Sequence, residues 1–127
     1  MPRFVVHEHH ARTLHWDLRL EHGGTLVSFA VPKGVPLEPG VRRLAVRTED
    51  HDLAYLDFEG EIPEGRYGAG RVRIWDRGTY DTLDGGPGET WRIRLRGRRV
   101  DGVYALVPFP TAGERAHLLL RTGDRGS

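Results

Sequence analysis

Apolar and polar side chains alternate along this chain in short runs, and each run is cut off by glycine or proline. Trp91-Arg92-Ile93-Arg94-Leu95-Arg96 is the clearest case. In an extended strand Trp91, Ile93 and Leu95 share one face, predicted to be the core face, and the three arginines share the other. No segment shows the 3.6-residue recurrence of a long amphipathic helix. With 17 glycines and 8 prolines, the punctuation is too frequent for anything but strands, turns and brief helices. Strands are predicted near 14–21, 25–31, 42–48, 57–61, 71–76, 90–96, 99–107 and 117–122. His22-Gly23-Gly24-Thr25 fits a tight hairpin between the first two. The stretches 32–40, 62–70 and 82–89 read as loops, and the glycines of 62–70 do not have the spacing that cradles a nucleotide phosphate. The pattern predicts an all-β fold, a compact, closed or nearly closed β-barrel of about eight strands with at most short helices. Its 127 residues suit one domain, 1–127, with no internal repeat or linker.

Composition narrows the chemistry. There is no cysteine, which excludes disulfides and thiolate metal sites, so any metal must be held by His, Asp, Glu or backbone oxygen. No apolar run approaches the roughly 20 residues that cross a bilayer. The start lacks the apolar stretch of a signal peptide, so a cytoplasmic location is expected. A net charge of +1 does not suit a generic polyanion binder. All 19 basic residues except Lys33 are arginine. That bias reflects either a GC-rich genome or a use for planar, bidentate phosphate donors. Arg92, Arg94 and Arg96, with Arg98 and Arg99, form a basic stripe, either a solvated strand face or a contact for a nucleic-acid backbone.

Four of the seven histidines fall within residues 7–15. In the predicted strand 14–21, Leu14, Trp16, Leu18 and Leu20 point into the core, while His15, Asp17, Arg19 and Glu21 point away. Neighbours on that polar face are about 6.6–6.8 Å apart, so His15 and Asp17 can converge on one ion. Arg19 then lies one step further on, in reach of an anion bound to that ion. On a barrel mouth this face makes a pocket. A third ligand is available from His7, His9 or His10 on a short connector before the strand. Two imidazoles and a carboxylate suit Mn, Zn, Fe, Co or Ni alike. The plain alternative is a set of solvent-exposed polar residues on an amphipathic strand. His51 and Tyr55 lie in or beside a later loop, and Glu49, Asp50 and Asp52 beside His51 favour its protonated form. The alternative there is a loop histidine capped by its acidic neighbours.

Four stretches together carry a family resemblance: RFVVHEHHARTLHWDLRLE, SFAVPKG, RRLAVRTEDHDLAYLDFEGEIPEGRYGAG and WDRGTYD. They resemble the 3′-phosphoesterase domain of bacterial DNA ligase D, over most of residues 3–81; the C-terminal part fits more loosely. The resemblance implies a compact β-barrel and a manganese-dependent enzyme of DNA end repair. Such an enzyme removes a 3′-terminal ribonucleoside and hydrolyses the 3′-phosphate to a 3′-OH ready for ligation. By the same resemblance the metal ligands are His9, His15 and Asp17, and Arg19, Lys33 and Arg43 lie on the phosphate side. The histidine and tyrosine of the family's next motif fall on His51 and Tyr55. Where the family pattern KHDARRLHYDFRLE has Lys, Asp and Arg, this chain has Glu8, His10 and Thr13, which removes positive charge and adds a potential ligand.

The expected reaction is hydrolysis of a 3′-phosphoester with Mn2+; Co2+ and Zn2+ are the other candidates for the ion. Arg19, Lys33 and Arg43 clamp phosphate oxygens, His51 donates a hydrogen bond or a proton, and Tyr55 positions His51 or the nucleic-acid end. The expected partners are DNA 3′ ends, some carrying ribonucleotides, and a ligase or polymerase acting in trans; no membrane is involved, and the protein is a monomer. Two other classes remain. One is a catalytically silent nucleic-acid end-binding module. The other is a non-haem Fe(II) oxygenase, with His15, Asp17 and a distant His51 or His117 as its facial triad.

Overall fold

A computed structural model describes residues 1–123; the last four residues of the expected 1–127 unit lie outside it. The strands are β1 (Arg3–His10), β2 (Leu14–His22), β3 (Thr25–Val31), β4 (Arg42–Arg47), β5 (Gly60–Ile62), β6 (Gly70–Asp84), β7 (Trp91–Arg96), β8 (Asp101–Pro108) and β9 (Ala116–Arg121). They hydrogen-bond in the order β1-β2-β3-β4-β9-β8-β7-β6-β5, and an antiparallel β1–β6 pairing closes the ring. The result is a closed antiparallel barrel of eight strands, with β5 lying outside the ring against β6. Two short 3₁₀ helices, Leu53–Asp57 and Pro110–Ala112, are the only helical elements among the described residues.

The barrel interior holds Phe4, Val6, Leu18, Leu20, Phe29, Trp91, Ile93, Leu95, Tyr104 and Leu119, all essentially inaccessible. Trp91, Ile93 and Leu95 face the core as their alternation predicts. The β2–β3 connection is the expected tight hairpin. Gly23 (φ 61°) and Gly24 (φ 81°) form its two-residue turn, and both sit where L side chains are strained.

Four expectations need correction. Residues before 14 are not a connector but a strand, β1, both of whose faces are buried. Phe4 and Val6 pack inside the barrel, and Val5 packs outside with Leu26 and Leu56 beneath the first 3₁₀ helix. Three consecutive apolar residues hide the period of two, which is why the strand is not evident in the sequence. The strand predicted at 57–61 is displaced to Gly60–Ile62, because the Asp52 carboxylate accepts the Ala54 N–H (2.9 Å) and starts a helical turn over Leu53–Asp57. The strand predicted at 71–76 runs on to Asp84, shortening the 82–89 loop. Leu14, expected in the core, is 39% exposed because it pairs with His10 at the open end of the β1–β2 hairpin.

The basic stripe lies on the outside of the barrel. Arg96 pairs with Asp81 at 2.6 Å and Arg94 approaches Asp101 at 4.0 Å, as on a solvated strand face.

Candidate active site and metal centre

Antiparallel pairing of β1 and β2 sets His9 opposite His15, His7 opposite Asp17 and Val5 opposite Arg19. These side chains stand on the face opposite Leu18 and Leu20, so the site is built on the outer wall of the barrel rather than in its mouth. The 3₁₀ helix Leu53–Asp57 and the 62–70 loop cover it. Asp17, Arg19, His7 and His9 are accordingly buried, at 5%, 5%, 0% and 6% exposure.

His9 Nδ1 lies 3.5 Å and His15 Nε2 lies 3.3 Å from Asp17 Oδ2. The other nitrogen of each ring meets a backbone carbonyl. His9 Nε2–H donates to Gly68 O (2.7 Å) and His15 Nδ1–H donates to Thr13 O (3.1 Å). A carbonyl only accepts, so these contacts fix the tautomers and leave His9 Nδ1 and His15 Nε2 as lone pairs aimed at a carboxylate. Three electron-rich atoms converge, and a cation is needed between them. A divalent ion fits: ligand atoms about 2 Å from a metal are about 3–3.5 Å apart, and the three residues offer ligand atoms all within 4.8 Å of one another. Hydrogen bonding to Asp17 raises the pKa of His15. Burial alone would push the Asp17 carboxyl up, but bonds from His15 and His9 and the charge of Arg19 hold it far below the usual carboxylate range.

Arg19 is the buried cation of the site. Its Nε donates to His7 Nδ1 (3.1 Å) and its Nη1 to Ser28 Oγ (3.0 Å), while Nη2 lies 3.3 Å from Asp17 Oδ2. The guanidinium also stands over the Tyr55 ring, 5.0 Å from its centroid. His51 Nδ1 sits 3.1 Å from Arg19 Nη1 and 2.9 Å from Glu49 O. Against the expectation that acidic neighbours favour its protonated form, the pKa of His51 is lowered, first by burial and then by Arg19. Asp50 is turned to Arg47 (3.1 Å) and Asp52 caps the 3₁₀ helix, so neither serves the imidazole. Tyr55 contacts His51 (ring centroids 4.9 Å) and His7 (5.5 Å, edge-on) and stacks on Phe58 (4.7 Å), which makes it the packing hub behind the cationic groups.

His9, His15, Asp17, Arg19, His51 and Tyr55 therefore line one pocket of about 300 Å³. Lys33 and Arg43 do not line it. They border a separate groove with Trp16 and Trp75, where Arg43 donates to the carbonyls of Lys33 and Gly34 and fixes the backbone from which Lys33 projects. His117 lies elsewhere, against Phe29, so a facial triad through it is not formed. His10 is turned to Glu8 (2.9 Å) and is not in the ligand cluster.

His7, one of the three histidines considered as a third ligand, serves Arg19 instead, and Ser28 has no sequence signal of its own. His7 is fully buried, with Nε2–H donating to Phe58 O (3.0 Å) and Nδ1 accepting from Arg19. Its spacing of two from His9, once β1 is known to be a strand, would have placed it on the same face. Ser28 needs the β2–β3 register, which sets it opposite Arg19.

The sequence of the chain matches a known family. The DNA Ligase D 3′-phosphoesterase domain family matches residues 7–108, a range that contains every residue of the pocket. This chain belongs to that family. Similar proteins include the multifunctional non-homologous end joining protein LigD of Pseudomonas aeruginosa, 60% identical over 123 residues, and its counterpart in Mycobacterium tuberculosis H37Rv, 52% identical over 128 residues. The matches cover 93% and 96% of this chain but only 14% and 16% of those relatives, so the chain spans a small part of their length. The family is one of 3′-phosphoesterase domains, and the relatives named are non-homologous end joining proteins.

Proposed function

We infer that this domain is a metal-dependent phosphoesterase that heals DNA 3′ ends, hydrolysing a terminal 3′-phosphate to a 3′-OH and removing 3′-terminal ribonucleosides. One observation carries the reading: the three convergent acceptors of His9, His15 and Asp17 share Asp17 Oδ2 with the buried guanidinium of Arg19. A cation site and an anion-binding group back onto the same oxygen, which would suit a phosphate held beside a metal.

His9, His15 and Asp17 would hold Mn2+, with Co2+ or Zn2+ as alternatives. When bound, such an ion supplies Lewis acidity toward a phosphate oxygen. Arg19 is locked by His7 and Ser28, so its remaining Nη2 N–H is preorganised for an anion beside Asp17. His51 is favoured as the neutral imidazole. Its Nδ1–H donates to Glu49 O, so the neutral ring presents Nε2 as a lone pair toward the pocket, and it donates to the phosphate or the leaving oxygen only after taking up a proton there. Tyr55 holds His51 and Arg19 in register. Lys33 and Arg43 border the neighbouring groove rather than this pocket. The substrates are primer-template 3′ ends, made ready for a ligase or polymerase.

A screen of divalent metals on primer-templates ending in a 3′-phosphate or a single ribonucleotide tests the reading. Release of inorganic phosphate and appearance of a 3′-OH are expected with Mn2+. Salt-sensitive binding without release under any metal would make the domain a silent end binder. Iron-dependent oxygen uptake would make it an oxygenase.

A further inference from the structure

The pocket lining mixes two chemistries: the polar and charged His9, His15, Asp17, Arg19 and His51, and the apolar or aromatic Ile62, Val72 and Tyr67. At about 300 Å³ it is at the lower end of cavities that hold an organic ligand. A phosphoryl group engages only the polar groups. The apolar and aromatic ones suit the carbon-rich part of the same substrate.

Tyr67 is 84% exposed, more than any other large apolar or aromatic residue among those described, and it meets no other ring. Its backbone is nevertheless held. Arg66 N–H donates to Pro63 O (3.2 Å) and Ala69 N–H to Arg66 O (3.1 Å), closing successive turns around it. On one side Gly68 O is bound by the ligand His9; just beyond, Gly70 packs so closely on β1 that a Cβ would overlap His10 O. The loop is thus tied at two points to the strand that carries a metal ligand. Tyr67 lines the same pocket as Arg19. A flat ring held at the lip of an anion site, with its surface in water, is the arrangement that stacks a nucleobase. Stacking of this kind tolerates any base, since every base has a π-face.

We propose that Tyr67 is the platform on which the nucleoside bearing the 3′-phosphate stacks, so that the pocket reads a nucleotide end rather than a phosphate alone. The proposal rests on the end-healing reading of the site.

The test compares strands whose 3′-phosphate is carried by a normal nucleotide with strands whose last residue is abasic. The wild type should favour the base-bearing end by about tenfold, with the difference in KM rather than kcat. Tyr67→Ala should lose most of that preference, and Tyr67→Trp should keep it. Equal losses by Tyr67→Ala on both ends would overturn the proposal. A second readout needs no hydrolysis: a 3′-phosphorylated strand ending in 2-aminopurine, titrated with protein in EDTA. Fluorescence quenching by the wild type and Tyr67→Trp, absent with Tyr67→Ala, supports stacking; equal quenching by Tyr67→Ala, or none by any of the three, contradicts it. A protein that quenches the probe yet releases no phosphate with any metal would fail the end-healing reading and leave the stacking platform standing.

Discussion

The imidazole of His7 accepts a hydrogen bond from Arg19 Nε at 3.1 Å while giving its own proton to Phe58 O at 3.0 Å. This pair makes the neutral form of His7 obligatory, because a second ring proton would face a guanidinium. Burial, reinforced by Arg19, lowers the His7 pKa from 6.5 to about 4. The folded state therefore binds fewer protons than the unfolded chain between those values. Stability from this group is complete above pH 6.5 and is lost as pH falls toward 4, by roughly 3 kcal/mol in total. Urea unfolding in EDTA at pH 7 and pH 5 should show the loss, and His7→Asn, which keeps an acceptor toward Arg19, should show a smaller one.

Asp76 supports the fold outside the pocket. Its carboxylate accepts the backbone N–H groups of Arg77, Arg98, Arg99 and Val100 at 2.8–3.0 Å, and so ties β6 to the β7–β8 turn. Asp76→Ala leaves those donors without their acceptor and should cost roughly 3 kcal/mol, visible as a lowered thermal midpoint. Gly97→Ala should act in the same direction, since its Cβ would lie 2.5 Å from Asp76 Oδ2.

Gly70 couples the 62–70 loop to the metal ligands. Its φ of 126° and its close approach to His10 O leave no room for a side chain. Gly70→Ala should shift the loop, weaken the Gly68 O bond that orients His9, and reduce Mn2+ affinity by about 10- to 100-fold in calorimetric titration.

Mn2+ binding to the folded protein should raise its thermal midpoint by mass action. Asp17→Asn removes the carboxylate shared by both imidazoles and should abolish the shift, whereas His10→Ala, outside the cluster, should keep it. Thermal melts with and without Mn2+ check both variants.

Much of the barrel and of the site is legible in the sequence, for reasons that can be located. The alternation in 91–96 and 14–21 depends only on the strand's period, so the barrel and the shared face of His15, Asp17 and Arg19 can be read directly. His9 is reached only through family likeness, since nothing local distinguishes it from His7 and His10. The features that escape such reading require long-range pairing. The burial of both faces of Phe4-Val5-Val6 erases the strand signal of β1, and with it the partnership of His7 and Arg19. The charge state of His51 is misleading in the sequence because its neighbours Asp50 and Asp52 turn to Arg47 and to a helix cap, while Arg19, far away along the chain, sits against it.

The most direct measurement is inorganic phosphate released from a 3′-phosphorylated primer-template with Mn2+, comparing the wild type with His15→Ala. A metal centre on His9, His15 and Asp17 predicts release by the wild type and a fall to background in the variant. Full release by His15→Ala, or none by the wild type with any divalent metal, would contradict it.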